Sequence, residues 1–262
     1  MSLLRLDRVT RRFGGLTAVD AVSLEIEPGR VSAIIGPNGA GKTTLFNVIS
    51  GFLAPSEGRV HFDGHDLTGV APHRAAALGL VRTFQLVQLF PELTAAENVQ
   101  VGRHLRTRGG VWAALARPPW AQRQAAESRQ AAAELLEFVG LAGREQVPAA
   151  ALTYGHQRLL EIARAVAAEP KLLLLDEPAA GLNPAETDHL ADTIRRIVAR
   201  GITVLLIEHD VSLVMRLAER IFVLDFGRKI AEGPPAAVQQ DEAVIAAYLG
   251  VAEVEEGALA GA

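Results

Sequence analysis

Apolar and polar positions along the chain form two kinds of run. Val31 to Ile35, Leu172 to Leu175 and Thr203 to Ile207 are short and almost wholly apolar, and each precedes a stretch of helical character: one from Gly41, one from Pro184 to Arg200, and one after His209. A strand reads as continuously apolar when both of its faces are covered, as in a parallel sheet flanked by helices. An α/β core is therefore expected. Between about Val87 and Ala168 the pattern changes: Ala121 to Val139 is rich in Ala, Glu, Gln and Arg, no strand stands out, and a helical insertion is predicted. At its start, Gly109 to Trp120 holds both tryptophans, expected to be packing anchors, and Pro118-Pro119, a pair that breaks a helix. Leu3 to Phe13, Val22 to Ile26 and Arg59 to Phe62 predict a small antiparallel sheet beside the core. The tail from Val251 is acidic and Gly/Ala-rich, with little to bury, and is expected to be mobile.

The loop after the first core strand changes the picture from architecture to chemistry. Residues 36 to 44 read Gly36-Pro37-Asn38-Gly39-Ala40-Gly41-Lys42-Thr43-Thr44, which is the spacing of a phosphate-binding loop between a strand and a helix. Its glycines let backbone N–H groups wrap a phosphate chain at a helix N-terminus, Lys42 reaches the β- and γ-phosphates, and the Thr43 hydroxyl is placed to ligate Mg²⁺. The strand ending at Leu175 continues into Asp176-Glu177, so two carboxylates emerge at the C-terminal edge of the sheet. Asp176 suits Mg²⁺ and its waters, and Glu177 suits the polarisation of an attacking water.

Composition adds exclusions. Among 262 residues, 49% apolar and 21% charged describe a folded globular chain, and a net charge of -4 gives no reason to expect a nucleic-acid partner. The absence of cysteine removes disulfide, zinc-thiolate, iron–sulfur and thiol-nucleophile chemistry. The opening MSLLRLDRVTRRF lacks the apolar block of a signal peptide, and the longest apolar runs fall far short of the ~20 residues that span a bilayer, so any membrane role is expected to come through a partner.

Leu152-Thr-Tyr-Gly-His-Gln-Arg158, ahead of a helical run and upstream of Asp176-Glu177, resembles the LSGGQ signature of ATP-binding cassette (ABC) proteins. Phe13, Gln85 in Arg82-Thr-Phe-Gln85, Ala180-Gly-Leu-Asn183 and His209 in Ile207-Glu-His-Asp210 follow the order of that family. Within it, the chain is similar to the ATPase subunits of bacterial branched-chain amino acid uptake systems, through Phe13-Gly-Gly-Leu16, the Arg82 to Gln85 motif, Leu89-Phe90 to Glu97-Asn98-Val99, Glu161-Ile-Ala-Arg164, Asp176 to Pro184, and Ile230-Ala-Glu-Gly233.

The resemblance implies a P-loop NTPase (RecA-like) core of ABC type with a small antiparallel β subdomain and an inserted α-helical subdomain: one cassette over 1–250, with its core in 1–86 and 169–250, its helical part at about 87–168, and a tail at 251–262. It implies that ATP binds with Mg²⁺, that Phe13 stacks on adenine, that Gln85 touches Mg²⁺ or the attacking water, and that His209 contacts the γ-phosphate. Thr153, Tyr154, Gly155 and His156 would close on the nucleotide of a second ATPase subunit, with Ala180 and Asn183 in the loop beside them. Asn183 followed by Pro184 also reads as a helix N-cap pair. The signature departs from the family in having Thr153 for Ser, Tyr154 for the first Gly and His156 for Gln; Thr keeps the hydroxyl and Gly155 the close backbone approach. Implied partners are that second subunit, integral membrane permease subunits met through Leu86-Val-Gln-Leu-Phe90, and indirectly a solute-binding protein, on the cytoplasmic face of the inner membrane. A cassette for another solute (urea, amides, lipid-like export) and a soluble cassette ATPase remain alternatives. A non-hydrolysing switch would be expected to lack Glu177.

Overall fold

In the computed structural model, which describes residues 2–106 and 118–248, the apolar runs are central strands. In chain order the strands are β1 (Leu4–Phe13), β2 (Leu16–Ile26), β3 (Val31–Ile35), β4 (Glu57–Phe62), β5 (His65–Asp66), β6 (Leu80–Arg82), β7 (Leu172–Asp176), β8 (Thr203–Ile207), β9 (Arg220–Asp225) and β10 (Arg228–Gly233). Six of them form one sheet in the order β10-β9-β3-β8-β7-β6, parallel except for β10, which runs antiparallel to β9. The other four form an antiparallel sheet, β2-β1-β4-β5.

The unbroken apolar character of the core strands follows from their two buried faces. Ala33, Ile35, Leu173, Leu175, Val204, Leu206, Ile221 and Val223 pack into the layer of helices, whereas Ile34, Leu172, Leu174, Leu205, Ile207, Phe222 and Leu224 pack toward the antiparallel sheet and the helix Lys42–Ile49. Alternate side chains thus enter different cores, and fully burying a large aliphatic side chain is worth roughly 1.5–3 kcal/mol on either side.

Several expectations needed adjustment. β6 has three residues, too few to show a period, and β9 and β10 form a hairpin whose outer strand is only partly buried. Pro118-Pro119 starts a helix instead of breaking one: Pro118 is the N-cap and Pro119 the first residue of the helix Pro119–Phe138, where a missing N–H costs nothing. Trp120 is exposed on that first turn and so is no packing anchor. Trp112 and the tail from Val251 lie outside the described residues. Among the described residues, no helix is long and apolar enough to cross a membrane.

The helix Ala95–Gly102 begins with a reciprocal cap between Thr94 and Glu97 and carries a fully buried Asn98. The Asn98 amide accepts from the Phe90 N–H at 3.0 Å and donates to the carbonyls of Phe90, Leu93 and Thr94 at 3.0–3.2 Å, closing the segment that follows Gln85. Asn98→Ala strands these backbone groups away from water, and we expect a loss of about 2–4 kcal/mol in urea denaturation, with the segment from Gln85 to Phe90 becoming protease-sensitive first.

Candidate functional site

Register brings the chemistry together. Ile34 pairs with Ile207 across β3 and β8, and Ile207 pairs with Asp176 across β8 and β7, so Gly36, Glu177 and Glu208 leave the sheet at one edge. The phosphate-binding loop there is crowded. A Cβ on Gly36 would stand 2.0 Å from the Leu224 carbonyl oxygen, and one on Gly41, at φ +95°, would stand 2.3 Å from that of Ala18, so both positions need glycine. Gly41 is the N-cap of the helix Lys42–Ile49, with Asn38, Gly39 and Thr43 exposed around the turn. Lys42 is buried, and its Nζ donates to the carbonyls of Gly36 (2.7 Å) and Pro37 (2.8 Å). Burial pushes its ammonium pKa down, and the charge of Glu177 partly opposes that shift.

Glu177 takes φ +47°, an unfavourable region for a side chain with a Cβ, and its N–H donates to the Ile207 carbonyl at 2.9 Å. The turn aims a carboxylate, 12% exposed, at two partners. Gln85 Nε2 donates to one oxygen at 2.8 Å, and His209 Nε2 lies 2.7 Å from the other. Gln85, Glu177 and His209 therefore meet on one carboxylate beside the phosphate-binding loop. Asp176 points elsewhere, its Oδ2 bonded to Arg82. The oxygens available for a cation, the Thr43 hydroxyl and the Asp176 carboxylate, are hard donors of the kind Mg²⁺ takes, and the set fits that ion.

The signature residues sit apart. Thr153 caps the helix Tyr154–Val166, its hydroxyl accepting from the His156 N–H at 3.4 Å. A Cβ on Gly155 would lie 2.4 Å from Glu186 Oε1, and one on Gly181 would lie 3.1 Å from the Tyr154 ring, so the helix start is pressed against the loop from Ala180 to Asn183 in its own chain. Asn183 caps the helix Pro184–Ala199 in a reciprocal pair with Glu186, as its sequence context predicts. Ala180 donates to the Glu177 carbonyl at 3.2 Å. His156 shares a pocket with Asn183, Glu186 and His189; burial, and then the charge of Arg144, push its pKa down. Phe13 ends β1 exposed, with the Arg11 guanidinium 4.7 Å from its ring centre, while Ala18 on the following strand is what touches the phosphate-binding loop.

Four charged residues carry more of this arrangement than their positions in sequence suggest. Arg82 holds the Asp176 carboxylate at 2.6 Å. Arg158, fully buried, donates to the carbonyls of Phe84 (2.8 Å) and Gln85 (2.7 Å) and pairs with Glu161, tying the helix Tyr154–Val166 to the base of the Gln85 segment. Burial pushes the Glu161 pKa up. Glu208 accepts from the N–H groups of Ala179 (2.7 Å) and His209 (3.1 Å), joining the loop after Glu177 to His209. The available signal was charge where apolar residues belong, since Arg158 and Glu161 share the inward stripe of their helix with Leu159 and Ile162.

The profile of the ABC transporter family covers residues 19–180, and that of the branched-chain amino acid ATP-binding cassette transporter covers 228–254. The chain is 45% identical over 251 residues, 95% of its own length and 98% of the relative, to the high-affinity branched-chain amino acid transport ATP-binding protein BraF of Pseudomonas aeruginosa. It is 43% identical, with the same coverage, to the corresponding protein LivG of Escherichia coli. A crystal structure of a nucleotide-free ATP-binding cassette from an ABC transporter superposes with a TM-score of 0.81 at 35% identity, covering 95% of this chain and 99% of that one. A dimeric ATP-binding cassette bound to ADP and Pi gives a TM-score of 0.74 at 27% identity, covering 88% and 98%.

Proposed function

The chain belongs to the ABC transporter family as an ATP-binding cassette, and from that premise we propose that it hydrolyses ATP with Mg²⁺ at sites shared between two cassettes, to power uptake of branched-chain or related hydrophobic amino acids. The observation that carries the reaction is the Glu177 carboxylate, held at the loop edge by Gln85 and His209. Water oxygen bonds to the γ-phosphorus, the bond to the β–γ bridging oxygen breaks, ADP leaves, and Glu177 orients the water and draws off its proton. The phosphate-binding loop and Lys42 hold the phosphates, Phe13 covers adenine, and His209 turns from Glu177 toward the γ-phosphate. Thr43 and Asp176, with Gln85, would hold Mg²⁺, which neutralises phosphate charge. Thr153 to His156, with Ala180 and Asn183, meet the nucleotide of the opposing subunit. The division into a core (1–86 and 169–250), a helical part (87–168) and a tail (251–262) belongs to the same reading, as does a place against the cytoplasmic face of the inner membrane.

The solute class rests on the likeness to BraF and LivG. The complex co-expressed with its permease subunits and placed in proteoliposomes should hydrolyse ATP faster when its binding protein carries leucine, isoleucine or valine. Stimulation by urea or amides alone would move it to another uptake class.

Docking on the membrane subunits is assigned to the segment after Gln85, with one change to the expected surface. Leu86 is 74% exposed and Phe90 is exposed, but Leu89 is partly buried against the helical core. Leu86→Asp combined with Phe90→Ser should leave ATP turnover of the isolated chain within about twofold while abolishing co-purification with the permease. A complex that still assembles and transports would remove this face from the interface.

A further inference from the structure

Arg82 is a buried charge that the proposed reaction does not use. Its Nη2 donates to Asp176 Oδ2 at 2.6 Å, and its Nη1 donates to Asn47 Oδ1 at 2.7 Å and to Ser50 Oγ at 3.0 Å. Arg82 and Asp176 side chains are 5% and 4% exposed. The guanidinium lies among three rings, 5.3 Å from Phe84, 5.6 Å from Phe46 and 5.7 Å from Phe52, and Phe52 meets Phe84 edge-on at 5.5 Å. One planar group thus joins three pieces of the site. Asp176 ends β7, Asn47 and Ser50 are at the end of the helix that begins at Lys42, and Arg82 ends β6, three residues before Gln85.

We propose that Arg82 is a positioning residue for the metal carboxylate: its fork fixes the Asp176 side chain through one oxygen, leaves the other for the cation, and locks that carboxylate to the phosphate-loop helix and to the strand that leads into Gln85. The proposal rests on Asp176 being the Mg²⁺ carboxylate. Geometry favours orientation over bulk charge. A guanidinium presents separate N–H groups to Asp176 on one side and to Asn47 and Ser50 on the other, while a lysine ammonium is a point charge on a flexible stem and cannot hold both directions. A β6 displaced by movement of the Gln85 segment would pull on Asp176 through this fork. Metal affinity would then follow the position of the segment assigned to the membrane partner.

The test separates metal-dependent from metal-free nucleotide binding, using a fluorescent ATP analogue titrated in EDTA and at graded Mg²⁺, with thermal melting of each variant. Arg82→Lys keeps the charge and loses the fork, and it should raise the half-saturating Mg²⁺ concentration about tenfold while leaving affinity in EDTA unchanged, since partners that orient metal ligands typically carry 10–100-fold in metal affinity. Asn47→Ala removes one anchor and should shift the same curve in the same direction by about threefold; it carries the test if Arg82→Lys fails to fold. A wild-type Mg²⁺ curve in both variants overturns the proposal, as does an equal loss of affinity with and without Mg²⁺, which is what mere loosening of the core would give. Asp176→Asn separates the role of the carboxylate from that of Arg82. If that variant keeps wild-type Mg²⁺ dependence, the reading of Asp176 as a metal ligand fails and the proposal falls with it. If Asp176→Asn loses the dependence and Arg82→Lys does not, only the role of Arg82 is refuted.

Discussion

Glu177→Gln should lower ATP turnover by about three orders of magnitude while nucleotide affinity stays within about twofold, because the change removes a base and almost no volume. The surroundings of Glu177 make the substitution clean. Its carboxylate accepts from Gln85 Nε2 and faces His209 Nε2, so an amide keeps one acceptor and turns its N–H₂ toward one of these neighbours. The strained turn at Glu177 is held by the backbone bond to Ile207, which the substitution leaves alone. Steady-state phosphate release and equilibrium binding of a fluorescent ATP analogue read the two quantities separately. Turnover within tenfold of wild type would move the water-orienting role to another group, and Glu208, buried beside His209, is excluded as that substitute by its engagement with the Ala179 and His209 N–H groups. A parallel loss of affinity would instead assign Glu177 to holding the site together.

The elements that sequence made legible are those whose physics is local. Val31 to Ile35, Leu172 to Leu175 and Thr203 to Ile207 are apolar on both faces because both faces are buried, and two glycines of the phosphate-binding loop, Gly36 and Gly41, are required by carbonyls 2.0–2.3 Å from where a Cβ would stand. Asp176-Glu177 could be placed at the sheet edge because they follow a buried strand. What escaped is what depends on residues far apart in sequence. β6 is three residues long and owes its existence to pairing with β7, some ninety positions away. Arg82 looks like a surface charge until the fold supplies Asp176 to bury it, and the apolar stripe that holds Arg158 names no partners until the fold supplies Glu161 and the carbonyls of Phe84 and Gln85. Trp120 errs the other way: an apolar side chain was expected inside, but its place on the first turn of a helix, just after two prolines, leaves it in solvent.

Neither a Lys42→Ala chain nor a Thr153→Asp chain should hydrolyse ATP by itself, yet an equal mixture should recover about a quarter of wild-type turnover, because half the dimers are mixed and each mixed dimer has one complete site. Two parts of the proposed site are separated inside one chain. The phosphate-binding loop, Glu177, Gln85 and His209 converge at one sheet edge, while Thr153 to His156 pack on Gly181, Asn183 and Glu186 at the start of another helix. A helix N-terminus of this kind favours an anion, and a second chain related by twofold symmetry would supply one. Gly155→Asp is a poor probe of this contact, since a Cβ there meets Glu186 and disturbs the cap on Asn183. Thr153→Asp is better. Asp caps a helix as well as Thr, Thr153 is exposed, and the new carboxylate stands where the opposing γ-phosphate would lie. Lys42→Ala removes the cation from the loop instead. In a mixed dimer, one site combines both defects, and the other joins an intact loop to an intact signature. Recovery that grows with total protein concentration and vanishes on dilution supports a site built from two chains. A mixture no more active than its components, under conditions where sedimentation shows mixed dimers, would place the whole reaction within one chain and leave Thr153 as a helix cap.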